Sequence, residues 1–519
     1  MRDYENLKSD IKSCAVSTSL YLRKESVYIQ RRMERKLQQQ YDQVSSISTD
    51  LLHDMEHELE PLLTKSKRMG ALKNNSDVSI ESALGHLRKD ERLETVHKFF
   101  YQKFGKVDEC NTEGIASYLQ HLPKLDDKSY AMHNSEFSDT EFDLAIKKLP
   151  RKRSPGPDGL TAEFYIAFRH HYSKIMTWLA NESICTGTLP PSVSTGVVSL
   201  IYKKGDPAEL SNWRPITLCN VDYKIISSVI KNRIICHLSK LVGPHQSCNI
   251  RGRSIVDNLV FFRDLFSGSF NGAILSLDQE AAFDRVNSEF MITVLHQYKF
   301  PDKIIKCLRV LHKNSKIMVK VGGALTRFIP VNRGVKQGDP VSSLLFVLCF
   351  EAFLSRVKTS LNTSLSVAID NPVTVAAYAD DCQIILRNPD EFEAVESELE
   401  RYCQYSGGKL NRLKSKCLLL GSWVCNSPAI NFPTTTTGLE ILGIHFGSPS
   451  YMTLNWDVLL QKFTAKLGFL GDKMKQSGII SKAFIISTYM IPMMWYKLQV
   501  LDPPDSFIDA VTEQCLLFL

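Results

Sequence analysis

Over most of the chain, apolar runs of strand length alternate with longer amphipathic stretches. Two such short runs, residues 374–377 and 382–386, flank the tetrapeptide Tyr378-Ala379-Asp380-Asp381. This pattern predicts strand, tight turn, strand, with two adjacent carboxylates held at the tip of a hairpin. Well upstream, the apolar run 273–277 ends in Asp278, predicting a buried strand that closes on an acid. The stretch from Pro340 onward reads as a buried helix. Near the start, residues 21–55 contain no Pro or Gly and are rich in Arg, Glu, Gln and Lys, all good helix formers. Within that stretch Leu37, Tyr41, Val44, Ile47, Leu51 and Met55 recur at spacings of three or four, which places them on one helix face. Pro155, Gly156, Pro157 and Gly159 make residues 150–159 a rigid turn.

The acids change the picture first. A bare pair of aspartates is commonly a solvated turn, but a solvated turn needs no apolar strands pressed against it. Two neighbouring carboxylates repel each other and lose hydration, and a fold tolerates them best beside a cation. One acid at the end of one strand and two on a neighbouring hairpin is the set that two-metal nucleotidyl transfer requires. Phe283 follows Asp278 by five positions, on the turn after the strand.

Composition agrees with a large enzyme. The chain has 519 residues, 44% hydrophobic and 23% charged, with a net charge of +7. That length suits two to four domains, and the mild basicity suits a nucleic-acid binder without identifying one. The 13 cysteines include no Cys-x-x-Cys pair, and no tight Cys/His quartet marks a zinc knuckle. Cys349 and Cys382 lie in apolar runs and read as small core residues in a reducing compartment. The first twenty residues are too polar for a secretory signal. The apolar run 344–350 is far shorter than the roughly 20 residues a bilayer span needs. The charges at Arg31, Arg32, Arg35 and Lys36 fit either a solvated helix packed on the rest of the protein or an RNA-binding or coiled-coil arm. The basic run Lys147-Lys148-Leu149-Pro150-Arg151-Lys152-Arg153 fits a nuclear import signal, a phosphate-contacting lip or a solvated loop.

Order and spacing bring in a family. RKRSPGPDGLTAEFY from Arg151, LIYKKGDPAELSNWRPITLCNVDYKIISSVIKNRI from Leu200, HQSCNIRGRSIVDNL from His245 and SLDQEAAFDRV from Ser276 occur in sequence. They are followed by RGVKQGDPVSSLLFVL from Arg333, YADD from Tyr378, GGKLNRLKSK from Gly407 and LEILGIHF from Leu439. In this order the blocks resemble the reverse transcriptase of a LINE-class non-LTR retrotransposon, over roughly residues 144–447. Three places depart from the family pattern. Asp339 stands where Cys is usual, SSLL follows it, and GGKLN replaces Gly-Leu-Lys-Leu-Asn. None removes an expected metal ligand, and Asp339 is expected to add negative charge near the template.

The resemblance implies an α+β right-hand polymerase: fingers, a palm of antiparallel sheet backed by helices, and a partial thumb, with an N-terminal helical extension. The implied division is 1–143 extension, 144–447 fingers and palm, and 448–519 the start of a thumb. The implied activity is RNA-directed DNA polymerase, extending a DNA primer or target DNA on an RNA template from dNTPs. Asp278, Asp380 and Asp381 would hold two Mg²⁺ ions, with Mn²⁺ as a substitute. Lys203 and Arg214 would clamp the β- and γ-phosphates, with Ile201, Tyr202 and Trp213 anchoring their loop. Phe283 would lie under the sugar and exclude a 2′-hydroxyl; the plainer alternative is a core Phe. Gln337, flanked by Gly334 and Gly338, would contact the nucleotide and template. Tyr378, Leu442 and Gly443 would line the template and primer path, the last two as the primer grip. Lys414 is either the general acid for pyrophosphate or an ordinary surface lysine. The family also implies ribonucleoprotein residence in nucleus and cytoplasm, with no membrane association; oligomeric state stays open. No endonuclease-like block precedes the helical stretch, and the chain stops at Leu519 inside an apolar run, which reads as a truncated copy. The competing reading is therefore a catalytically inactive remnant that binds RNA. A group II intron reverse transcriptase or an RNA-dependent RNA polymerase fits the blocks and Phe283 less well.

Overall fold

The computed structural model describes residues 79–107, 111–313, 315–364, 374–426 and 428–519. The predicted helix across residues 21–55, with its basic cluster, lies outside the described residues. Among the described residues twelve strands follow one another in the order β1 Thr195–Tyr202, β2 Trp213–Cys219, β3 Gly272–Leu277, β4 Lys316–Val321, β5 Ala324–Leu325, β6 Ile329–Pro330, β7 Val375–Tyr378, β8 Asp381–Leu386, β9 Lys416–Leu420, β10 Thr434–Thr435, β11 Gly438–Ile441 and β12 Ile444–Gly447.

The central sheet runs β10-β9-β3-β8-β7. β9, β3, β8 and β7 are antiparallel to their neighbours, while β10 lies parallel to β9, so the predicted antiparallel palm holds in all but its edge. Its strands read as continuous apolar runs because both faces are buried. Ala273, Leu275, Leu277, Val375, Ala377, Cys417 and Leu419 point into one core, and Ile274, Ala376 and Leu418 into another. The first core is closed by the helices Val221–Ile235, Ser288–Gln297, Ser342–Ser364 and Glu391–Ser406. Leu344 through Phe350 are all nearly or fully buried there, in the helix expected after Pro340. Cys349 and Cys382 are buried in the same core, as their apolar flanks predict.

The second core holds the β11–β12 hairpin, the helix Ile255–Ser267 and the helices that follow residue 448. Among these, Leu454–Lys473 and Asp505–Phe518 meet through Trp456 and Phe507, whose ring centroids are 5.0 Å apart. A second sheet, β2-β1-β4-β5 with β6 on β4, covers a third, smaller core with the helix Lys89–Phe100 and the turn of π-helix Tyr101–Gly105. No helix among the described residues is long and apolar enough to cross a membrane.

The division expected at 143/144 falls inside the helix Asp139–Lys147. Side chains from Ile115 to Ile146 belong to the same core as the central sheet, so no seam separates the extension from the catalytic segment at that point. Arg233, 3% exposed, is the main polar tie. It bonds both carboxylate oxygens of Glu141 (2.6 and 2.7 Å) and the carbonyls of His133, Ser135 and Glu136. Its guanidinium also lies 4.2 Å from the Phe137 ring. Arg233→Ala strands Glu141 and three carbonyls beside a void. It should lower unfolding free energy by about 3 kcal/mol, read as a lower urea midpoint at unchanged slope; a loss below about 0.5 kcal/mol would refute this role for Arg233.

Candidate active site

The hairpin forms as its pattern predicts. Tyr378 pairs with Asp381, leaving Ala379 and Asp380 as the two-residue loop. Ala379 takes φ +55°, a conformation that costs a residue with a Cβ and needs support. Gln246 provides it. Fully buried, it accepts from the Ala379 N–H (2.9 Å) and donates to the Ala379 carbonyl (3.2 Å). Arg253 in turn donates to the carbonyls of Val242, Gly243 and Gln246, holding the segment that carries Gln246.

Asp278 follows β3 directly. Leu277 pairs with Cys382, so the next step along the antiparallel ladder sets Asp278 beside Asp381. The Asp278 N–H donates to Ser415 Oγ (3.0 Å), and its carbonyl accepts from Asn411 N–H (2.8 Å). The structure thus brings together the three acids that the sequence singled out.

Their electrostatics show why such a cluster wants a cation. Burial raises the Asp380 carboxyl above its usual range, and Asp278 adds to the rise while Lys203 and Arg214 oppose it. Asp381 still meets solvent, yet its concave surroundings strip part of its hydration. That desolvation, with repulsion from Asp380, Asp278 and Glu440 against the pull of Lys203, pushes it up to about 6. The donor set is oxygen only, partly desolvated and mutually repulsive, which fits Mg²⁺ or Mn²⁺.

A cleft of about 890 Å³ opens over Asp278 and Asp380. Lys203, Arg214, Asp278, Phe283, Gln337, Gly338, Asp380 and Lys414 line it. Lys203 and Arg214 flank the loop between β1 and β2, and both are exposed. That loop is stiffened by Trp213 Nε1 donating to the Pro207 carbonyl (2.9 Å), Tyr202 Oη to Gly205 (2.5 Å) and Lys203 N–H to Asn212 (2.9 Å). Neither cation forms an ion pair among the described residues. Lys414 is exposed on the loop before β9, its N–H bonded to Asn411.

Phe283 sits between the core and the cleft. One face stacks on Phe346 at 4.4 Å, while the residue is only partly buried and borders the cleft. The glycines answer to a constraint within the chain itself. A Cβ on Gly334 would lie 2.6 Å from the Asp284 carbonyl oxygen, and one on Gly338 2.4 Å from that of Thr217. Both have positive φ, +81° and +117°. The close approach they permit is to this chain's own backbone. Gln337 sits between them, its carbonyl accepting from Thr217 N–H (2.7 Å) and its side chain donating to Asp284 Oδ1 (3.1 Å).

Asp339 corrects an expectation. It is 6% exposed and accepts from Tyr223 Oη (2.8 Å), Ser227 Oγ and the Val341 N–H (3.2 Å). Its charge is consumed in capping the start of the buried helix and is not offered to a template. Leu442 and Gly443 form the two-residue turn between β11 and β12, with φ +49° and +81°, as a type I′ hairpin requires. The Leu442 carbonyl accepts from Tyr496 Oη at 2.6 Å. Burial raises the Tyr496 hydroxyl, with Tyr378 and Asp381 adding to it, so this tyrosine joins the turn to the acidic hairpin.

Sequence reasoning missed Gln246, Tyr496 and the ion pair of Lys103 with Asp284 (2.8 Å). The only signal for Gln246 was its place in a family block. The other two are far apart in sequence from their partners and leave no local trace.

Residues 201–446 match the family model for reverse transcriptase (RNA-dependent DNA polymerase). Residues 201–446 are therefore a reverse transcriptase domain, of the kind that non-LTR retrotransposons carry. It is 30% identical over 441 residues to a 149 kDa protein of transposon TX1 from Xenopus laevis, covering 83% of this chain and 34% of that protein. It is 25% identical over 383 residues to the Pol polyprotein of a type-2 retrotransposable element of Drosophila melanogaster, covering 69% and 34%. The chain thus spans about a third of the length of these two relatives. Enzymes of the family generally use divalent metal ions.

The raised Asp381 carboxyl has a stability consequence. Its folded value lies above the unfolded one, so between about pH 4 and pH 6 the folded state holds more protons, and stability falls as pH rises through that window. In chelator, Asp381→Asn should therefore melt about 2 °C higher than wild type above pH 6, with the gap closing toward pH 4. Added Mg²⁺ should narrow the gap from the wild-type side. A pH-independent difference in Tm would contradict the assignment.

Proposed function

We propose that this chain is an RNA-directed DNA polymerase that extends a DNA primer on an RNA template from dNTPs. The observation that carries the reading is the convergence of Asp278 and Asp380 with Lys203 and Arg214 on one cleft, with Asp381 beside them at the start of β8. Acids and cations so placed can hold opposite ends of a metal-bound triphosphate. Asp278, Asp380 and Asp381 would hold two Mg²⁺ ions, or Mn²⁺ in their place. When bound, those ions lower the pKa of the primer 3′-hydroxyl and steady the triphosphate and departing pyrophosphate.

The protein's own groups do the positioning. Lys203 and Arg214 face the β- and γ-phosphates across the cleft, where fixed positive charge offsets the charge that builds on the leaving group. Lys414, on the same rim, supplies a proton to pyrophosphate. Phe283, backed by Phe346, presents the ring edge against which the sugar rests. Gln337 is held by Asp284 on one side and Thr217 on the other, ready to meet the base or template backbone. The Leu442-Gly443 turn, tied to Tyr496 and close to Tyr378, grips the primer end. Gly334 and Gly338 keep the Gln337 loop seated. The same proposal assigns 144–447 to fingers and palm and 448–519 to the start of a thumb, and places the protein in nuclear and cytoplasmic ribonucleoprotein.

Primer extension on a poly(A) RNA template with Mg²⁺ tests the reading. Asp278→Asn and Asp380→Asn should each reduce extension a hundredfold or more while leaving the melting temperature equal or higher. Wild-type rates in either variant would remove it from the metal site.

Phe283 governs sugar choice in this reading. A ribonucleotide would have to shift its sugar, and misplacement near 1 Å costs on the order of a hundredfold in rate. Phe283→Val should raise GTP use relative to dGTP, measured as the ratio of kcat/KM values on one template. An unchanged ratio in a folded, active variant would leave Phe283 as a packing partner of Phe346 alone.

A further inference from the structure

Away from the cleft, three ligand-type side chains from distant parts of the sequence meet. His133 ends the helix Asp127–His133, and Cys236 and His237 follow the helix Val221–Ile235. One ligand atom from each lies within 4.8 Å of the other two, and this is the only such Cys, His, Asp or Glu group found among the described residues. Cys236 Sγ is 3.5 Å from His133 Nε2. A tetrahedral zinc ion with ordinary Zn–S and Zn–N bonds separates a sulfur and a nitrogen ligand by roughly 3.5 Å. The two imidazole centroids are 4.9 Å apart and their planes cross at 77°, so the rings do not stack face to face, and different edges can converge.

An independent observation points the same way. His237 is 5% exposed, and its Nε2 is buried without any hydrogen-bond partner. A buried ring nitrogen left unsatisfied costs free energy unless something meets it. We propose that His133, Cys236 and His237 bind a borderline-soft divalent cation, with zinc the best match, as a structural tie between the N-terminal helices and the helix that runs behind the central sheet. Two nitrogens and one sulfur suit zinc better than magnesium. Cys236 is exposed, which leaves a solvent-facing fourth position for water. Both imidazoles are held toward the neutral, ligating form, mainly by burial. Binding would release the Cys236 proton to solvent as the thiolate takes the ion.

The cluster is independent of the acids in the cleft, so its test is independent of polymerisation. The full chain, stripped with chelator and titrated with Co²⁺ as a spectroscopic stand-in for zinc, should bind one equivalent with a thiolate-to-metal charge-transfer band and tetrahedral visible absorption. Cys236→Ser should abolish the charge-transfer band. His133→Ala, at a half-buried position that tolerates truncation better than His237, should weaken binding tenfold or more. Zinc should raise the Tm of the wild type and not of Cys236→Ser, while primer extension by Cys236→Ser stays at the wild-type rate. Absence of a thiolate band in the wild type, or its persistence in Cys236→Ser, would overturn the site.

Discussion

Like charges held close together in a partly dehydrated cleft are the constraint on which the rest of this structure turns. Asp278 adds to the raised proton affinity of Asp380, and Asp278 and Asp380 to that of Asp381, and a compliant fold would let the three splay apart. The central sheet prevents that by geometry. Asp278 continues one strand and Asp381 opens its neighbour, so the ladder fixes their spacing. Asp380 is left to a two-residue turn with an unfavourable alanine conformation. The paired bonds of Gln246 to that alanine are what keep the turn closed, and they explain why the segment around it is tied down by Arg253.

The fingers obey a related rule. The cations opposite the acids must reach into solvent without wandering. Trp213, Tyr202 and Asn212 spend their hydrogen-bonding groups on the loop that carries Lys203 and Arg214, whose charged ends pair with no acid among the described residues. The Gln337 loop is treated likewise. Its glycines fit against Asp284 and Thr217 with no room for a side chain, so the loop's position is set by contact with the strand and turn on either side.

Much of this was legible in the sequence because it is local or periodic. The acidic hairpin, the strand before Asp278, the helix after Pro340 and the Leu442-Gly443 turn each follow from patterning a few residues wide. The role drawn for Asp339 went astray, and the internal contacts of the two glycines went unseen, for one reason: sequence shows that a group is charged or small, but not which neighbour uses it. Asp339 is consumed by Tyr223, Ser227 and a helix start, and the glycines by their own backbone. His133 and His237 are invisible for the opposite reason. A site assembled from segments a hundred residues apart has no spacing to recognise.

The ion pair between Lys103 and Asp284 carries one more implication. Asp284 is 2% exposed, and Lys103 supplies its countercharge from outside the stretch that the family model covers. A fragment cut at residue 201 would keep the buried carboxylate and discard its partner, together with all the core side chains from Ile115 to Ala180. The stretch matched by similarity, residues 201–446, therefore lacks part of the core and one of the charges that its own residues pack against. Chimeras that exchange polymerase segments between elements must carry the upstream helices along with the segment they serve.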